Sequence, residues 1–111
     1  MNESITSALS AAVDQVNKLI EVANNPDESR QLHCLREMLF DLWEAAIKKQ
    51  IDANTPDYTN AIVALQEAEQ EAKTAQDDLS KIGDAIQKAV SAAKAADKVI
   101  QLGLQIAKFF Q

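Results

Sequence analysis

The sequence predicts an all-α protein, an antiparallel bundle of four helices making one domain over residues 1–111. Three observations predict it. Only two glycines and two prolines occur in 111 residues, too few for the turns of a β-sandwich or an α/β fold. Apolar residues recur at spacings of three and four along the whole chain, the period of a helix with one buried face. A heptad pattern runs unbroken from Tyr58 to Phe110. Its first column is Tyr58, Leu65, Ala72, Leu79, Ile86, Ala93, Ile100 and Ala107, and its second is Ala61, Ala68, Ala75, Ile82, Ala89, Ala96, Gly103 and Phe110. Helix packed on helix is what such a pattern specifies. The second column is mostly alanine, so the seam has a clear register and a modest hydrophobic drive.

The first helix is expected over about residues 4–23. Ile5, Leu9, Ala12, Val16, Leu19 and Ala23 form its apolar stripe, widened by Val13 and Ile20. Asn24-Asn25-Pro26 ends it, because proline disfavours helical geometry in the residue before it. Asp27 is then placed to cap the second helix, about residues 28–52. That helix carries the heaviest side chains. Leu32, Leu35, Leu39, Leu42 and Ala46 make one stripe, Cys34, Met38 and Ala45 one flank, and Phe40, Trp43, Ile47 and Ile51 the other. Its polar strip is narrow, so it reads as the central member of the bundle, with Phe40, Trp43 and Ile47 assigned to the core. The competing reading makes them a partner-binding patch.

The third helix, about residues 56–82, has a marked start. Thr55 supplies the N-cap, Pro56 the first helical position, and Asp57 faces the positive end of the helix dipole. The favoured reading breaks the chain at Gly83, with Asp84 and Gln87 opening a fourth helix over 84–110. The alternative is a helical hairpin plus one continuous coiled-coil helix over 56–110, about 80 Å long at about 1.5 Å per residue. The polar stripe of the last segment, with Lys88, Lys94, Lys98 and Lys108, favours helix over strand. Its end broadens into an apolar face from Val99 to Phe110.

Net charge is −6. Nucleic acid is disfavoured, since phosphate neutralisation by Lys and Arg dominates such binding. Between Asp57 and Asp78 there are six acids and one base, net −5, whereas Leu79–Gln111 has five lysines and two aspartates, net +3. One helix along its dipole, a hairpin or a dimer would each use that asymmetry. The single cysteine, Cys34, excludes an internal disulfide and fits a reducing, cytoplasmic compartment. The first residues lack a basic n-region, so no signal peptide is expected, nor is a membrane span.

Catalytic chemistry finds no support. His33 and Cys34 are adjacent in sequence and point about 100° apart on a helix, so they do not make a nucleophile pair. The paired Glu-x-x-His motifs of bundle metal sites are missing, and two isolated glycines cannot form a phosphate loop. No cofactor and no metal are expected. The sequence therefore points to a non-enzymatic protein–protein interaction module. Such a small acidic helical protein would bind or neutralise a partner, the kind of task performed by immunity proteins, inhibitors or chaperones. The partner would be another protein, and the net negative charge would suit a basic one. Candidate contact residues are the acids Glu67, Glu69, Glu71, Asp77 and Asp78, with Phe40 and Trp43. The second expectation is a self-assembling coiled coil or homodimer. The third, weaker, is a membrane-associating helix over Val99–Phe110.

Overall fold

A computed structural model describes residues 4–103. Among them are four α-helices and no strand: α1 (Ile5–Val22), α2 (Pro26–Lys48), α3 (Pro56–Asp77) and α4 (Ile82–Ile100). A short 3-10 turn, Leu79–Lys81, joins α3 to α4. The Cα radius of gyration is 13.1 Å, the size of a closed bundle. The continuous helix over 56–110 does not form.

α1 packs on α2 and α3, and α4 packs on α3 and α2. Named contacts fix the directions. The Ile5 N–H donates to Tyr58 Oη, so α1 and α3 start at the same end. Lys49 Nζ donates to the Ile100 carbonyl at 2.6 Å, so α2 and α4 finish at that end. Arg36 reaches Asn17, while Lys98 and Lys88 reach Asp57 and Glu67, as antiparallel pairs must. The molecule is thus two antiparallel hairpins, α1–α2 and α3–α4, laid side by side with parallel neighbours across them. Residues 49–55 cross one end of the bundle to connect α2 to α3.

The helix starts follow side-chain chemistry. Thr55 accepts from the Tyr58 N–H with Pro56 in the first turn, as expected, and Ser4 accepts from the Ser7 N–H at the start of α1. The start of α2 differs from expectation. Asn25, not Asp27, is the cap: its Oδ1 accepts from the N–H groups of Asp27 and Glu28 at 2.9 and 3.1 Å. Pro26 opens the helix, because its fixed φ suits that position and holds Asn25 extended. α2 also ends at Lys48 rather than Asp52. Lys49 turns out of the helix to cap α4, and Asp52 instead accepts from the Asn54 N–H in the turn before α3.

The predicted break exists, five residues earlier than Gly83. Asp78 leaves helical geometry at φ −146°, ψ 95°, and its carboxylate accepts from the Ser80 N–H and hydroxyl at 3.1 and 2.6 Å. A short acceptor that bonds its own backbone competes with the helix, which is why the turn forms here. Gly83 and Asp84 lie inside the first turn of α4, so Asp84 is no cap. The heptad seam closes within the hairpin. Its positions from Tyr58 to Ile100 are buried, except Leu79 at the tip, which is 40% exposed. α4 ends at Ile100, not residue 110. Gln101 adopts left-handed geometry at φ 61°, its N–H donates to the Asp97 carbonyl, and the Gly103 N–H donates to Asp97 Oδ1. The expected helix from 104 onwards lies outside the described residues.

The core is uneven. The first hairpin contributes Leu9, Leu19, Leu32, Leu35, Leu39 and Leu42, all 1% exposed or less, while the second contributes mainly alanines around Leu65, Ile82 and Ile100. One polar pair is set among them: Gln76 Nε2 donates to Gln15 Oε1 at 2.7 Å, and Gln15 is 8% exposed. No buried side-chain polar atom among the described residues lacks a partner.

Candidate functional site

Five acids on or next to α3 were the leading contact candidates in the sequence, and the fold does not gather them onto one surface. Glu67 faces α4 and pairs with Lys88 at 3.8 Å. Glu69 pairs with Lys73 one turn along at 3.3 Å. At about 100° per residue it points roughly opposite to Glu67. Glu71 lines a shallow polar depression of about 300 Å³ with Asp84, Gln87, Lys88 and Ser91. Asp77 is exposed at the last turn of α3. The Asp78 carboxyl is held below its usual value of 3.8, first by the Ser80 hydroxyl and then by the Ser80 N–H. Its two hydrogen bonds serve the turn.

The aromatic candidates are placed differently from the core assignment made above. Phe40 is 46% exposed and Ile47 55% exposed, while Trp43 is half-buried against the core. The reason is geometric. α2 has two neighbours, and Leu32, Leu35, Met38, Leu39, Leu42 and Ala46 already fill the arc that faces them. Phe40, Trp43 and Ile47 sit at the edge of that arc, on the side of α1. The Phe40 and Trp43 rings meet at a centroid distance of 5.5 Å with a 32° tilt, so Trp43 anchors Phe40 from below.

Between α1 and α2, beside Phe40, runs a groove of about 480 Å³ lined by Val13, Asn17, Arg36, Glu37, Phe40 and Asp41. Arg36 bonds Asn17 at 3.3 Å and contacts His33 Nδ1 at 3.2 Å. A second shallow groove, about 530 Å³, is lined by Asp41, Glu44, Ala45, Lys48, Lys49 and Leu102. Asp41 borders both, so the two form one track round the outer side of α2.

Glu37, Asp41 and Glu44 belong to the narrow polar strip of α2 and are not among the contact candidates the sequence offers. The signal was present: they recur at spacings of four and three along the face beside the aromatic residues. None of the three is in an ion pair among the described residues. Glu67 and Glu69, in contrast, each have a lysine within 4 Å.

His33 is exposed and Cys34 half-buried. The His33 ring contacts Arg36. Among the described residues no three His, Cys, Asp or Glu side chains are grouped to hold a metal ion. Among them, too, no helix is long and apolar enough to cross a membrane. Of the apolar face from Val99 to Phe110, Ile100 is buried in the bundle at 1% exposure and Val99 is partly covered; residues 104–110 lie outside the described residues. The chain matches no protein-family model, no curated protein and no solved structure.

Proposed function

We propose that this protein is a non-catalytic protein–protein interaction module whose contact surface is the outer side of α2. One observation carries the reading: Phe40 is 46% exposed and its ring rests against that of Trp43, beside a groove that an incoming side chain can enter. An aromatic ring that is both exposed and pre-positioned loses little conformational freedom on binding, which favours tight contact. Ile47 extends the apolar surface by a further two turns. Of the acids at α3, Glu67, Glu69 and Asp78 are the weaker candidates because they already meet Lys88, Lys73 and the Ser80 turn.

Self-assembly through a long coiled coil is not the reading adopted. Its seam is consumed inside the α3–α4 hairpin, which leaves no apolar stripe of that register for a second copy.

The test compares three immobilised chains in one extract of the source cells: wild type, Phe40→Ser with Ile47→Ser, and Glu67→Lys with Glu71→Lys. Circular dichroism melts establish that all three are folded. Proteins retained by the wild type and the α3 variant, but released by the α2 variant, are the expected result. Identical retention by all three would sink the proposal.

A further inference from the structure

We infer that the outer side of α2 receives a basic amphipathic helix of a partner protein. The inference rests on the interaction reading above and adds the chemistry of the partner.

Phe40, Trp43 and Ile47 follow one another at spacings of three and four, so they form a straight ridge about 10 Å long. Glu37, Asp41 and Glu44 form a second row beside it, centred about 95° round the helix and continued by Lys48. An apolar row and a charged row at a fixed angular offset match an element with the same two rows, which is an amphipathic helix. A strand is the poorer fit. It needs a sheet edge with free backbone groups, and α2 uses its own within the helix.

The sign of the partner follows from the acids. Glu37, Asp41 and Glu44 are exposed, and no lysine or arginine of the described chain pairs with them. Arg36 lines the first groove but is bonded to Asn17, and of the two lysines lining the second, Lys48 and Lys49, Lys49 is bonded to the Ile100 carbonyl. Lysines or arginines on an incoming helix would meet unpaired carboxylates, while its apolar side chains meet Phe40 and the groove floor at Val13.

The probe is a leucine–lysine amphipathic peptide of about five turns, without tryptophan. Trp43 is the only tryptophan of the chain, so its fluorescence reports the surface directly. A saturable one-to-one shift is expected. A scrambled peptide of equal composition should bind about tenfold more weakly, and a leucine–glutamate version should show no shift. Phe40→Ser with Ile47→Ser should weaken binding roughly tenfold. Glu37→Gln, Asp41→Asn and Glu44→Gln together should weaken it several-fold and flatten its salt dependence. Glu67→Gln with Glu71→Gln should leave it unchanged.

Equal binding of the scrambled peptide, or indifference to the α2 substitutions, overturns the inference. So does a Trp43 shift that tracks dimer formation, because a second copy then covers the ridge. A carbodiimide cross-link from Lys108 to Glu37, Asp41 or Glu44 within a monomer overturns it too, because the chain's own residues 104–111 then occupy the surface. If capture in the extract depends on Phe40 and Ile47 while the peptide fails to bind, the helical partner falls and the interaction reading stands. If capture ignores those residues, the interaction reading itself falls.

Discussion

The hydroxyl oxygen of Tyr58 accepts the backbone N–H of Ile5 at 2.9 Å, inside the bundle and across 53 residues of sequence. Ile5 is the first residue of α1, where helix N–H groups have no partner in their own helix. One phenol therefore satisfies a buried donor and joins the starts of the two hairpins. Tyr58→Phe keeps the ring and strands the donor. We expect a loss of about 1–3 kcal/mol in urea unfolding. An unchanged midpoint would mean that water reaches the Ile5 amide.

The two sides of α2 should respond oppositely to truncation. Leu39 and Leu42 are fully buried, and Leu39→Ala or Leu42→Ala should cost about 2–5 kcal/mol. Ile47, 55% exposed and one turn along, should cost no more than about 0.5 kcal/mol as Ile47→Ala. Thermal melts of the three variants separate core from contact surface. A large loss at Ile47 would return that residue to the core.

Gly83 should be replaceable with gain. It is helical, and an added Cβ meets only the tip of Glu28, at an ordinary 3.9 Å. Alanine there reduces the freedom of the unfolded chain and clashes with nothing. Gly83→Ala is expected to stabilise by about 0.5–1 kcal/mol, read as a raised urea midpoint. Destabilisation would show that residue 83 is a turn after all.

Asp78 should leave a mark on acid stability. Its folded pKa is lowered from 3.8 by the hydrogen bonds from Ser80, so the unfolded chain binds the proton more readily. The contribution is present above 3.8 and is lost as pH falls through the lower folded value. Asp78→Asn should flatten that part of the stability curve, measured by unfolding between pH about 5 and 2. A curve that keeps the wild-type slope would assign the acid sensitivity to other carboxylates.

Much of the fold was legible in the sequence, for reasons that are local. Thr55-Pro56 announces a helix start because capping and proline geometry depend on adjacent residues alone. The seam from Tyr58 to Ile100 was legible because its spacing survives the turn. What the heptad could not reveal was the turn's position, since Asp78 breaks the helix through a bond to Ser80 that a periodic pattern does not register. The end of α2 was hidden for a different reason: Lys49 is drawn out of the helix by Ile100, 51 residues away. Phe40 was misassigned because a helical wheel does not say how many neighbours a helix has. Two neighbours leave it exposed, where three would have buried it.

The parallel pairing across the hairpins has a consequence for the order of assembly. Within a hairpin, α1 reaches α2 through residues 23–25, and α3 reaches α4 through the turn after Asp77; these are cheap loops to close. Contacts between hairpins, such as Gln15 with Gln76 and Lys49 with Ile100, span 61 and 51 residues and close late. The alanine seam of α3–α4 buries little apolar area per residue, whereas α1–α2 brings six leucines to the core and is expected to collapse first. The first half of the chain is thus expected to serve as a template on which the second half is moulded.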